Sequence, residues 1–145
     1  MTPLFRLWWR INRSMTLGVR GVARDEAGRV MLVRHSYVDG WHFPGGGVER
    51  GETAEAAMRK EFAEEAALAP EGPLRLFGAY LNPDFPGDHI LLFEAPRWRE
   101  LAVRRSREIT DREWFPLDNL PPDATTATRR RLAEMFAGAN ACDVW

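Results

Sequence analysis

Apolar residues recur along this chain with two periods. Between residues 16 and 24 they alternate in part, with Leu17 and Val19 on one side of an extended chain and Arg20 and Val22 on the other. A second apolar run, residues 30–35, follows the turn-forming cluster Asp25-Glu26-Ala27-Gly28, and two such runs across a turn predict a β-hairpin. Residues 74–81 and 89–95 read as two more strands around a proline- and glycine-rich loop, and a Trp-Phe strand is expected within 108–117. Elsewhere the period lengthens to that of a helix. Ala54, Ala57, Met58 and Phe62 fall on one side of a helix, and residues 125–137 offer Leu132, Met135 and Phe136 for packing, with Arg129, Arg130 and Arg131 mostly outside. Residues 3–13 form a third helical stretch, with Arg6, Arg10 and Arg13 at helical spacing among Phe5, Trp8, Trp9 and Ile11. Strands interleaved with helices predict an α/β fold, a mixed β-sheet between helices in an α/β/α sandwich.

The polar side of the second helix carries the chemistry. Glu61, Glu64 and Glu65 stand at i, i+3 and i+4, so a helix places all three carboxylates on one face within about one turn. Unscreened, they repel one another, and a sequence that concentrates them points to a cation. Oxygen-only ligands favour Mg²⁺ or Mn²⁺ over zinc. Three glycines, Gly45 to Gly47, precede the helix and permit backbone angles and approaches that a Cβ would obstruct. Thr53 is the expected N-cap, Glu52 and Glu55 complement the positive end of the helix dipole, and Pro70 predicts that the helix stops near Ala67 or Leu68.

This stretch resembles the Nudix box: glycine, five residues, glutamate, seven residues, then Arg-Glu-apolar-any-Glu-Glu-any-Gly-apolar. Here it runs from Gly46 through Glu52 to Lys60-Glu61-Phe62-Ala63-Glu64-Glu65-Ala66-Ala67-Leu68. Lys60 stands in place of the arginine and Ala67 in place of the last glycine. The resemblance implies the Nudix fold over about residues 16–137, with the box as loop-helix-loop. It implies a metal held by the Gly46 carbonyl with Glu61, Glu64 and Glu65, and a catalytic set of Glu61, Glu64, Lys60 and an acid beyond the box, Glu108 first and Asp111 second. The activity implied is hydrolysis of a phosphoanhydride bond in a nucleoside diphosphate linked to a further group X, by activated water. At the Lys60 position the family's arginine holds a catalytic glutamate through charge-assisted hydrogen bonds; lysine keeps the charge without the planar fork. Alanine at position 67 is expected to change the shape of the helix end, because a left-handed turn disfavours a Cβ. The alternative is a non-catalytic Nudix-like domain that binds a nucleotide and regulates a partner.

Further features refine this picture. Residues 36–44 read as a loop whose Tyr37, Trp41 and Phe43 are candidates to stack on a base, with His42 as a lesser catalytic candidate. Residues 97–107 carry five arginines against one acid, Glu100, and read as a solvated turn unless an anionic substrate meets them. The formal net charge is −1 at pH 7, so bulk electrostatics gives no reason to expect DNA or RNA as a partner; a nucleotide-type small molecule is expected. One cysteine, Cys142, excludes an internal disulfide and fits a cytoplasmic location. No apolar run spans a bilayer. The expected organisation is a basic aromatic helix over 1–15, the domain over 16–137 and a tail over 138–145. The first helix is expected to pack on the domain or on a partner subunit, as in a homodimer, with a membrane-surface anchor as its other reading.

Overall fold

A computed structural model describes residues 2–145. In it the chain runs through α1 (Pro3–Asn12), β1 (Thr16–Ala23), β2 (Val30–His35), β3 (Val38–His42), β4 (Gly45–Gly47), α2 (Ala54–Ala66), β5 (Leu68–Pro70), β6 (Arg75–Leu81), β7 (Asp88–Ala95), β8 (Trp98–Glu100), β9 (Ile109–Phe115) and α3 (Thr126–Phe136). β1 pairs parallel to β7 along its whole length, from Thr16 opposite Asp88 to Ala23 opposite Ala95, and antiparallel to β4 on its other edge. With β6 outside β7 this gives a mixed sheet in the order β4-β1-β7-β6. A second sheet runs β3-β2-β9, and β5 pairs with β8 in a two-stranded ribbon.

The apolar faces sort into two cores. Met58, Phe62 and Ala66 of α2 pack with Val19, Ala23, Met31 and Phe93, whereas Leu132 of α3 packs with Val22, Val30, Leu32 and Leu92. Strands therefore lie between α2 and α3, which is the α/β/α arrangement that the sequence predicts. Gly21 sets how closely α2 approaches β1, because a Cβ there would run into the Phe62 ring and Met58 Cε.

Several expectations change. β1 and β2 do not form a hairpin: beyond one bridge between Arg24 and Val30 they enter different sheets, since β7 and β4 occupy both edges of β1. Residues 38–42 are a strand rather than loop, with Trp41 alternating inward. Arg131 is not outside but fully buried, its guanidinium bonded to the Val144 carbonyl and Glu134 and lying 4.3 Å from the Tyr80 ring centroid. The last residues join the domain, with Leu81 N–H donating to the Asp143 carbonyl and Trp145 N–H to the Leu81 carbonyl. The Trp145 ring meets Phe43 and Tyr80 edge-on.

α2 starts as predicted, with Thr53 Oγ1 accepting from Ala56 N–H at 3.1 Å. Its end departs from expectation. Ala67 does not reshape the turn but takes the left-handed conformation itself, at φ 54°, ψ 41°, and its N–H donates to the Phe62 carbonyl. A Cβ in this region costs roughly 1 kcal/mol. Ala67→Gly is therefore expected to raise Tm by about 2–4 °C, measured by thermal unfolding; an unchanged or lower Tm would mean that burial of the methyl group outweighs the strain.

Candidate active site

α2 presents Glu61 and Glu65 toward β4 and Glu64 toward a neighbouring cleft, so each of the three has a different setting. Glu65 is 5% exposed and points inward; its Oε2 accepts from Gly45 N–H at 2.9 Å and its Oε1 lies 3.0 Å from His35 Nε2. Glu61 is half-buried against Gly46, where a Cβ would come within 2.5 Å of Glu61 Oε1. Glu64 is exposed and faces a cleft of about 790 Å³. Burial, then repulsion from Glu65 and Glu64, raises the Glu61 carboxyl to about 7 against the opposing pull of Lys60 and Arg20. Unneutralised carboxylates on one face are the setting that a hard divalent cation relieves. Among the described residues no three acidic, histidine or cysteine side chains already converge as a metal cage. The donor chemistry fits Mg²⁺ or Mn²⁺, with oxygens on Glu61, Glu64 and Glu65 and, at Gly46, room for Glu61 against the backbone.

The glycines of β4 work by leaving space rather than through unusual angles, since none of the three has a positive φ. Gly45 lies opposite Arg20 in the β1–β4 register, and a Cβ there would strike the Val19 carbonyl. Arg20 is a site residue that the sequence reading missed. Among the described residues its side chain bonds only to the Val19 carbonyl, and burial lowers its guanidinium from the usual arginine value while Glu65, Tyr37 and Glu61 offset part of that effect. His35 was missed as well: it ends β2 at a register shift and reaches Glu65 thirty residues away. Neither residue belongs to a local motif, so only the placement of β1 and β2 beside α2 reveals them.

Across the cleft from Glu64 the chain between β8 and β9 supplies Arg104, Arg105, Ser106, Arg107 and Glu108. Glu108 is thus brought to the candidate site, its carbonyl accepting from Ser36 N–H at 2.7 Å and its own N–H donating to Ser106 Oγ. Asp111 lies on β9 outside that cleft. Residues 97–107 are largely exposed, as the solvated-turn reading expects, and three of their arginines also line this concave surface.

The three candidate stacking rings separate. Tyr37 is 67% exposed, and desolvation, then the charges of Glu65 and Glu108, raises its phenol above the usual tyrosine value. Trp41 and Phe43 are instead core residues, 7% and 1% exposed, with Trp41 edge-on to Phe115. A base cannot reach either ring, so their expected stacking role is withdrawn. His42 turns back to the Asp39 carbonyl at 2.9 Å, and burial lowers its pKa.

Lys60 does not clasp any of the three candidate ligands Glu61, Glu64 and Glu65. Its Nζ lies 3.4 Å from Glu52 Oε2, and Glu52 Oε1 in turn accepts from Glu49 N–H, so Lys60 pins the loop that enters α2. Arg59 points elsewhere, to Glu55 and the Pro70 and Gly72 carbonyls. Lys60 is on this geometry a positioning residue. Lys60→Arg is expected to raise kcat a few-fold with KM unchanged in steady-state assays, as the planar fork holds Glu52 better; a lower kcat would show that lysine is the fitted residue.

The NUDIX domain family model matches residues 15–136. The chain belongs to the NUDIX family. A MutT NUDIX hydrolase from Burkholderia pseudomallei superimposes on this NUDIX chain with a TM-score of 0.70 at 26% identity, covering 81% of this chain and 95% of that one. The chain is also similar to an RNA pyrophosphohydrolase of Shewanella piezotolerans, 47% identical over 47 residues, which is 32% of this chain and 27% of that protein. It is 36% identical over 135 residues to the NAD-capped RNA hydrolase NudC of Pseudomonas syringae, 90% of this chain and 46% of NudC. The chain thus spans less than half the length of either curated relative. Among the described residues no helix is long and apolar enough to cross a membrane.

Proposed function

We propose that this NUDIX domain is a divalent-metal-dependent hydrolase that cleaves a phosphoanhydride bond in a nucleoside diphosphate linked to X. The observation that carries the reading is the pairing of opposite charges across one cleft. Glu64 and Glu108 stand with Arg104, Arg105 and Arg107 around it, while Glu61 is held above its ordinary range beside Gly46. Such a surface can take an anionic diphosphate through the arginines and the metal through the carboxylates.

When bound, Mg²⁺ or Mn²⁺ would neutralise the diphosphate and align it for attack. Glu61, Glu64 and Glu65, with the Gly46 carbonyl, are the residues that would hold it. Glu65 is kept in place by His35 and Gly45 N–H, so its carboxylate is oriented before substrate arrives. Glu108 takes the proton from water as the water oxygen bonds to phosphorus, with Glu61 and Glu64 as the other carboxylates able to act as base. The bridging P–O bond breaks, giving a nucleotide and the phosphorylated remainder. Arg104, Arg105 and Arg107 stabilise charge on the departing phosphate. Tyr37 offers its ring to the base, and Lys60 fixes the loop before α2 through Glu52.

The test is chromatographic analysis of the products from a panel of nucleoside triphosphates, ADP-ribose, dinucleotides and 5′-triphosphorylated RNA with Mg²⁺ or Mn²⁺, reading pyrophosphate or phosphate from the triphosphates and two phosphomonoesters from ADP-ribose and the dinucleotides. The RNA substrate is included because the two curated relatives described above are RNA hydrolases by name. Turnover of at least one substrate is expected, and Glu65→Gln should reduce it at least 100-fold while keeping the fold. Nucleotide binding without turnover of any substrate would replace this reading with that of a non-catalytic nucleotide sensor.

A further inference from the structure

Among the described residues α1 leaves its side chains uncovered. None of its side chains is buried, and Leu4, Trp8 and Ile11 are 82%, 55% and 68% exposed. It is nevertheless well formed: Thr2 Oγ1 accepts from Phe5 N–H at its start, and Arg13 N–H donates to the Trp9 carbonyl at its end. Its two sides differ sharply. Arg6, Arg10 and Arg13 fall along one edge at i, i+4 and i+7, and Leu4, Leu7, Trp8 and Ile11 cover the opposite side, flanked by Phe5 and Trp9. No acid occurs before Asp25. The helix also lies outside the matched family domain. The apolar surface continues at its foot. Met15 is 63% exposed, and Thr16 is tied through the Gly87 carbonyl and Asp88 Oδ1 to the loop carrying Phe85, itself 68% exposed.

We infer that α1 docks this protein on the surface of an anionic lipid bilayer, its apolar side sunk at the acyl boundary and its arginines at the level of the lipid phosphates. Charge decides the occupant. A second copy of the helix would cover the apolar side but leave the three arginines of each helix with no acid on either helix to meet them. A nucleic acid would meet the arginines and leave the tryptophans and leucines in water. A bilayer of acidic lipids takes both sides at once, because arginine stems bend back along the apolar surface while the guanidinium stays wet, and tryptophan favours the headgroup boundary. Ten residues cannot span a bilayer, so the helix lies along the surface.

The full chain is the reagent. It is expected to co-sediment with vesicles of phosphatidylcholine and phosphatidylglycerol far more than with pure phosphatidylcholine, with a blue shift of tryptophan emission and partial release by salt. Replacing Arg6, Arg10 and Arg13 together by Gln should weaken binding to acidic vesicles about 100-fold, since each cationic side chain near such a surface contributes about fivefold. The pair Trp8→Ala and Trp9→Ala should weaken binding to acidic vesicles and remove the blue shift. Because α1 does not pack on the domain, neither variant set should move the domain's Tm. Failure to sediment with acidic vesicles overturns the inference. So does a dimer that the tryptophan pair dissolves without any vesicle binding, or capture of an oligonucleotide in preference to acidic vesicles. A lowered Tm in either variant set would place α1 against the domain and also overturn it.

Discussion

Glu61→Gln should leave a folded protein, more stable than wild type at pH 8 without metal, whose catalysis is about 100- to 10,000-fold lower. The stability half follows from linkage. Glu61 has its folded-state pKa raised to about 7, well above the 4.5 of the free side chain. Between those values the unfolded chain releases a proton that the folded chain keeps, so the Glu61 contribution to stability falls as pH rises through that window. Above about pH 7 the full penalty is present, about 1 kcal/mol once the solvent screening of a half-buried carboxyl is allowed for. Glutamine fills the same space without the charge. Tm measured from pH 4.5 to 8.5 in chelator should therefore fall more steeply for wild type than for the variant. Adding Mg²⁺ should restore wild type and leave the variant largely unmoved, because a ligand bound only by the folded state stabilises it. Parallel Tm curves for the two proteins would remove the electrostatic basis of the metal site.

The second large effect separates two adjacent glycines. Gly46→Ala should retain most of the wild-type Tm while lowering kcat about 100-fold, whereas Gly45→Ala should lose stability by roughly 1–3 kcal/mol before activity can be judged. The difference lies in what each new Cβ meets. At Gly46 the obstacle is the end of the Glu61 side chain, which can swing away but then leaves its place at the proposed metal site. At Gly45 the obstacle is the Val19 backbone carbonyl, held by the β1–β4 pairing, so the strands themselves must part. Thermal melts with single-turnover assays on both variants decide it. Equal Tm losses would mean that β4 responds as one unit and that Gly46 has no separate role.

What could be read beforehand depended on range. The α2 segment carried its evidence locally, in the three glutamates at helical spacing, the Thr53 cap and the glycine-to-Leu68 pattern; its start and the position of its end stand as read, while the left-handed turn at Ala67 does not. Residues defined by distant partners were opaque. Trp41 and Phe43 looked available to a nucleotide because the surrounding Ser36, Asp39, Gly40 and Pro44 suggested a loop, yet α3 and Trp145 cover them from the far end of the chain. Arg131 belonged to an arginine run that resembled a solvated face, and only Glu134 and the Val144 carbonyl explain its burial. The β1–β2 hairpin failed for the same reason, since β7 arrives some seventy residues later to take the edge that β2 would have used.

Arg131 and Trp145 also impose an order of events on the newborn chain. The core beneath α2 contains no residue later than Phe93 and Ala95 among its buried members, apart from the partly buried Trp98 and Trp114 packed against it. The core beneath α3 is finished by Val144 and Trp145, which receive the buried guanidinium and close over Phe43 and Tyr80. On the ribosome, the half holding the acidic helix can therefore begin to set while the other still lacks its final pieces. Until Val144 emerges, a cation destined for the interior has no carbonyl to receive it, and that half stays open to the chaperones that meet a chain during synthesis.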